Sequence, residues 1–261
     1  MADGAVTANR AGTVADRIVF LGHATVLIEL EGVRLLTDPL LRERVGHLRR
    51  QAPPIDMCMT AGLDAVLISH SHHDHLDLPS LRFLGYDTPM IVPGGVGMWL
   101  RRRGFADVTE LSVGDLAEVG GIEVTAVEAR HDGGRLGGPR AQALGYLVHG
   151  RRAVYFAGDT ELFTGMSKLT PSPDVALLPV AGWGPTLGPG HMDPLDAARA
   201  VGLIGPRIAI PVHWGTLLPV GLIRRHRMRL ADPPRLFAEH VERLVPSVDV
   251  RILSPGQEAR F

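Results

Sequence analysis

The stretch AVLISHSHHDHLD, residues 65–77, decides how this chain is read. Residues 65–69 form a short apolar run that predicts a buried strand. The chain then turns abruptly polar, with His70, His72, Asp74 and His75 in His-x-His-x-Asp-His spacing. Residues two apart in extended chain project to the same side, so His70 and His72 can converge on one ion. Asp74 and His75 fall on the turn beyond and aim at a neighbouring point. Four such ligands within one short segment suit a pair of adjacent metals better than a single tetrahedral site. An affinity-tag-like run would be terminal and uninterrupted; this one is internal, follows a strand and carries an aspartate. His73 is left over and is expected on the surface or behind the ligands.

Outward from this segment the chain alternates short apolar runs with glycine and proline. RIVFLG (17–22), TVLIEL (25–30) and VRLLTD (33–38) read as strands, with Glu31-Gly32 as a hairpin turn. Pro79 opens a short helix to about Leu84, MIVP (90–93) is a strand, and 94–103 a helix stopped by Gly104. A second series follows: strands at 122–129, 143–150, 152–159 and 174–180, a helix at 161–169, a helix at 194–203 capped by Asp193, a strand at 207–214, a helix at 234–244 and a last strand at 248–253. Sheets with helices outside them would bury these runs. The expected fold is α/β (α+β): a four-layer αββα sandwich of two mixed β-sheets, forming one domain over 16–261 after a flexible tail at 1–15.

A metal pair needs further ligands from the ends of other strands, where polar functional side chains are often held. His131, Asp159 and His213 each follow an apolar run. With the first motif they make seven ligands. In this combination the chain resembles the metallo-β-lactamase-fold hydrolases. The resemblance implies His70, His72 and His131 on one metal, Asp74, His75 and His213 on the other, and Asp159 bridging both. LGHATVLIEL (21–30), TDP (37–39), HMDPLDAARAV (191–201) and PVHWGT (211–216) are similar to the branch containing ascorbate-6-phosphate lactonase and N-acyl-phosphatidylethanolamine phospholipase D. That branch implies two more histidines facing the metals, His23 and His191. The glycine-rich loop 131–142 differs from the phospholipase, so a lipid substrate does not carry over. Arg135 and Arg140 there could meet a phosphate or carboxylate, and Trp183 and Trp214 could wall a pocket. His47, His149, His226 and His240 lack comparable context and are read as surface or structural.

Histidine and aspartate ligands with no thiolate suit two zinc ions, with manganese or iron compatible. The expected activity is hydrolysis of an ester-type bond, in a lactone or phosphodiester of a small molecule, by a metal-bridging hydroxide. Asp74 would orient the hydroxide, and His191 with His23 would donate protons. A nuclease of the same fold and a non-hydrolytic di-iron protein are the competing readings. The 27 basic and 28 acidic side chains leave a net charge of −1, which gives no global field for nucleic acid. The arginine clusters at 101–103 and 224–229 read as solvated helix faces. Cys58 is the sole cysteine, so no intrachain disulfide forms; with no apolar run long enough to span a bilayer, a cytoplasmic protein is expected. The sequence does not set the oligomeric state, and a homo-oligomer is compatible with it.

Overall fold

Strand β1 (Arg17–Gly22) alternates its side chains between two apolar environments. Ile18 and Phe20 enter the core between the sheets, while Val19 and Leu21 enter the layer beneath the outer helices. Strands buried on both faces read as continuous apolar runs, which is why β2 (Thr25–Leu30) is buried at every position. The protein is described by a computed structural model covering residues 15–134, 137–182, 187–222 and 231–261.

β1, β2 and β3 (Val33–Thr37) form an antiparallel meander. Glu31 and Gly32 turn the β2–β3 hairpin at φ 52° and 87°, as a two-residue turn matched to strand twist requires. After β4 (Arg44–Val45) and β5 (Leu48–Arg50), the chain adds β6 (Ala65–Leu67), β7 (Met90–Pro93) and β8 (Val108–Leu111) in parallel beside β3. The second sheet contains β9 (Leu116–Val119), β10 (Ile122–Glu128), β11 (Leu144–His149), β12 (Ala153–Phe156), β13 (Val175–Pro179) and β14 (Ile208–Val212). β15 (Leu217–Pro219), β16 (Asp249–Val250) and β17 (Glu258–Arg260) complete the strands. The sheet orders are β17-β1-β2-β3-β6-β7-β8 and β16-β14-β13-β12-β11-β10-β9, with a small third sheet β15-β5-β4.

Helices α1 (Leu78–Leu84) and α2 (Gly97–Arg101) cover the first sheet through Leu81 and Leu100. Helices α3 (Pro194–Ile204) and α4 (Asp232–Leu244) cover the second through Val201, Phe237 and Val241. The expected αββα sandwich is therefore the observed one. Asp77 and Asp193 cap α1 and α3 by accepting from the backbone N–H of Ser80 and Asp196, which supplies partners for otherwise orphaned amides.

Several boundaries differ from expectation. β6 ends at Leu67, and Ile68 and Ser69 lie beyond it. The helix expected at 94–103 contracts to Gly97–Arg101, and that at 161–169 is a 3-10 turn, Thr164–Lys168. The strand expected at 248–253 spans only Asp249–Val250. β4, β5, β8, β9, β15 and β17 are not among the expected strands: each spans only two to four residues, too few to show a period. The N-terminal tail up to residue 14 lies outside the described residues.

Candidate metal centre

The ends of β6, β10, β12 and β14 meet along one edge of the sandwich, where the backbone leaves each sheet and side chains are free to converge. Beyond β6 the chain carries His70 and His72, then turns, with the N–H groups of His75 and Leu76 donating to the His72 carbonyl at 3.1 and 2.8 Å. That turn presents Asp74 and His75. His131 follows β10, Asp159 follows β12, and His213 follows β14.

Asp159 sits on a turn that only glycine permits. Gly158 adopts φ 60°, and a Cβ there would lie 2.7 Å from the Ser69 Cβ and 3.0 Å from the Leu144 carbonyl oxygen. Gly190 adopts φ 75° and packs against His131; a Cβ there would meet the ring Nδ1 at 2.9 Å. The same close approach lets His131 Nδ1–H donate to the Gly190 carbonyl at 2.9 Å.

All seven expected ligands fall in one cluster. His70, His72 and His131 bring ligand atoms within 4.8 Å of one another, and so do His23, Asp74, His75 and His213. Asp159 lies between the sets. Its Oδ2 is 3.2 Å from His75 Nε2 and 3.9 Å from His70 Nε2, and its Oδ1 is 3.3 Å from His213 Nε2. His191 Nε2 approaches Asp159 Oδ2 at 3.5 Å from a partly open side, whereas His23 Nε2 is 3.0 Å from Asp74 Oδ2 and is buried.

Hydrogen bonds on the far sides of the rings fix which nitrogen faces inward. His213 Nδ1–H donates to the Ala181 carbonyl at 2.7 Å. His75 Nδ1–H donates to Asp38 Oδ2, also at 2.7 Å. Ser69 Oγ donates to Asp38 Oδ2 at 2.5 Å and accepts from His70 Nδ1–H at 2.9 Å. Each bond turns Nε2 toward the cluster, the arrangement that orients histidine ligands. His70 Nε2 and Asp159 Oδ1 are buried with no hydrogen-bond partner. Buried polar atoms are ordinarily satisfied, so these two orphaned atoms fit a centre built to receive cations.

Asp38 is a site residue that the sequence reading passed over as part of a motif. It is fully buried at φ 35° and accepts from the Ser69 N–H at 2.7 Å as well as from Ser69 Oγ and His75. His23 and His213 also adopt positive φ, at 57° and 61°. Non-glycine residues in this region cost of order 1 kcal/mol or more, and with Glu31 in its hairpin these are the positive-φ non-glycine residues described. Their concentration here marks where the fold holds strained backbone.

Electrostatics divide the histidines. Burial holds His70 well below its usual pKa, with neighbouring His75 adding to the effect. Burial likewise lowers His72, His131 and, to about 3, His213. Burial opposes charge on His75 too, but Asp159, Asp74 and Asp38 outweigh it and raise its pKa well above the usual value. Asp159 is held well below the carboxylate range, since His213 and His75 overcome the effect of burial. For a lowered histidine the unfolded chain binds the proton first, so stability is complete above about pH 6.5 and declines as pH falls toward the folded value. For His75 the stabilising proton is already bound below pH 6.5, so it adds no slope there. The metal-free protein is therefore expected to lose several degrees of Tm between pH 6.5 and 5, before the carboxylates titrate. Calorimetry across this range measures it; a flat or rising Tm would contradict the assignment of His70 and His213 as buried neutral rings.

A cavity of about 440 Å³ opens beside His72, His73 and Asp74. Val45 and Leu48 form its apolar wall, and Arg42 and His47 its polar side. His47 is exposed, in line with its expected surface or structural place, and borders this cavity. Arg42 donates to Asp77 Oδ1 at 2.6 Å. The exposed Arg140 does not line this cavity. Trp214 stacks on Phe20 at 5.8 Å and donates to the Pro211 carbonyl, so it packs against the core. Arg135, Trp183, His226 and the arginine cluster 224–229 lie outside the described residues.

Residues 33–214 match the family model described as the beta-lactamase superfamily domain. The chain belongs to this family. It is 34% identical over 250 residues to a UPF0173 metal-dependent hydrolase of Methanopyrus kandleri, covering 92% of this chain and 98% of that one. It is also 34% identical over 230 residues to the N-acyl-phosphatidylethanolamine-hydrolyzing phospholipase D 1 of Caenorhabditis elegans, covering 77% of this chain and 64% of the nematode protein. The solved structure of Igni18, a metallo hydrolase from Ignicoccus hospitalis, superposes with a TM-score of 0.74 at 24% identity, over 95% of this chain and 98% of that one. This beta-lactamase superfamily member is a metal-dependent hydrolase of the metallo-β-lactamase fold. No helix among its described residues is long and apolar enough to cross a membrane.

Proposed function

We propose that the protein hydrolyses an ester-type bond, in a lactone or a phosphodiester, of a small molecule, using two zinc ions. The observation that carries this reading is two clusters of candidate ligands with the Asp159 carboxylate between them, and the orphaned atoms His70 Nε2 and Asp159 Oδ1 among them. His70, His72 and His131 would hold one ion, Asp74, His75 and His213 the other, and Asp159 both. Seven nitrogen or oxygen donors of this kind and no thiolate suit zinc, and also admit manganese or iron. Such ions, when bound, lower the pKa of water from about 15.7 to roughly 7 and polarise a carbonyl or phosphoryl oxygen.

The chain's own groups supply the remainder. Asp74 stays ionised because His75 and His23 outweigh its burial, so it accepts a hydrogen bond from the attacking water and orients it. His191 Nε2, on the partly open side, donates a proton to the leaving oxygen. The cavity at Val45, Leu48 and His47 takes the non-reacting part of the substrate; its volume lies in the range typical for small ligands. A cytoplasmic location is supported by the exposed free thiol of Cys58.

The test is a screen of zinc-loaded protein against lactones, phosphodiesters and phosphotriesters, with metal analysis and a visible spectrum on the same sample. Turnover of a lactone or a phosphodiester, lost on chelation and restored by zinc, is the expected result. A coloured di-iron protein that hydrolyses none of them would overturn the reading.

A further inference from the structure

We infer that His23 is a protein ligand of the second ion, beside Asp74, His75 and His213, which gives the two metal positions unequal coordination. This rests on the two-ion reading and adds to it a residue that was expected only to handle protons.

His23 sits in the turn between β1 and β2, where the pairing register shifts after Phe20. Its φ of 57° is costly for histidine, and the surroundings hold it there. Its N–H donates to Thr216 Oγ1 at 2.7 Å, and its carbonyl accepts from the His213 N–H at 2.8 Å. The turn is thus bonded directly to the segment bearing a ligand. The ring is buried, with its centroid 4.0 Å from that of His213 and 5.2 Å from that of His75. A group this enclosed is poorly placed to exchange protons with a substrate.

The ligand atoms of His23, Asp74, His75 and His213 all lie within 4.8 Å of one another. His23 Nε2 is 3.0 Å from Asp74 Oδ2, which is 3.6 Å from His75 Nε2, which in turn is 3.3 Å from His213 Nε2. Zinc ligands at about 2.0–2.2 Å from a tetrahedral ion stand about 3.3–3.6 Å apart; the two spacings to His75 Nε2 match this, and the 3.0 Å hydrogen-bond spacing of His23 and Asp74 would open by a few tenths of an ångström to admit an ion. His191 differs: it groups with His131 and Asp159, and its side chain is 21% exposed.

The consequence is an asymmetry. Four protein ligands together with Asp159 would close the second position. The first has three histidines and Asp159 and so keeps a position open, while the cavity is bordered by His72 of the first set and Asp74 of the second. Closed zinc sites are typically structural, whereas sites that keep a position open do chemistry. The second ion therefore binds more tightly and fills first, and the first position faces substrate.

Full-length metal-free protein, as wild type, His23→Gly and His23→Gln, tests the assignment by zinc titration against a chromogenic chelator and by cobalt(II) absorption. Glycine removes the ring while tolerating the positive φ; glutamine keeps a donor for Asp74. Loss of an orienting partner costs about 10–100-fold in metal affinity, so loss of a ligand is expected to weaken the tighter step by more than about 100-fold. The weaker step stays unchanged, the cobalt band of the tight site shifts, and glutamine fails to rescue. Circular dichroism of the metal-free variants checks the fold. Wild-type affinity at both steps in His23→Gly, or full rescue by His23→Gln, would overturn the assignment and leave His23 as a positioning residue for Asp74. A wild type that takes up only one zinc ion would instead defeat the two-ion reading, and this assignment with it.

Discussion

Asp159→Ala is expected to lose turnover on the order of 10⁴-fold or more, the scale seen when one member of a set acting as a unit is removed. The carboxylate stands within 3.3 Å of His75 and His213 and 3.9 Å of His70, where it can serve both proposed ligand sets. Without it neither ion keeps its shared donor, and metal content should fall from two ions toward one or none. The metal-free variant should also change its titration. Asp159 is the leading charge holding the His75 pKa up against burial, so that pKa should drop, visibly by NMR. Full activity with both ions retained would remove Asp159 from the centre.

Asp38→Ala is expected to damage stability and metal binding together. The carboxylate accepts from the Ser69 N–H, Ser69 Oγ and His75 Nδ1–H, all in buried surroundings. Its loss leaves three donors without a partner and the raised His75 without one of its compensating charges. Breaking a buried charged network by removing one partner costs about 3–5 kcal/mol, a fall in Tm on the order of 10 °C for a chain of this size. Freed from its partner, the His75 ring can rotate, and metal affinity should fall about 10–100-fold. Chemical denaturation and chelator competition on the same preparation measure both effects. A variant with wild-type stability and wild-type affinity would show that Asp38 does not position His75.

The contrast between these two aspartates explains what was legible in the sequence. Asp159 could be found because it follows an apolar run and a glycine, and because metal chemistry restricts ligands to a few residue types. The His70–His75 segment was plainer still, since its spacing itself places ligands together. Asp38 also ends an apolar run and lies in TDP (37–39), but nothing in that run says what the carboxylate faces. Its role depends on the parallel pairing of β3 with β6, where Thr37 stands beside Leu67, and that register brings position 38 against Ser69. The two sheets were readable from apolar runs buried on both faces. The small sheet was not. β5 pairs with β15 across more than 160 residues, matching Leu217 with Arg50, and neither strand alternates clearly enough to announce itself. His47 is exposed, as expected, and borders the cavity because that sheet forms. β17 follows Pro255-Gly256 and gains its partner from β1 at the other end of the chain.

The arrangement of strained turns follows from the same geometry. His23, Asp38 and His213 leave their strands at positive φ, a conformation that aims each polar side chain at a point the regular sheet would not reach. The folded core on both sides of the two sheets is large enough to hold that strain.

Hydrolysis is expected to depend on two ions held by one shared aspartate. Zinc titration of metal-free protein, with bound metal and turnover of an ester substrate followed in the same sample, tests it most directly. No turnover is expected without metal, little after one equivalent, and full turnover after two. Full activity in rigorously metal-free protein, or saturation at a single equivalent, would contradict it.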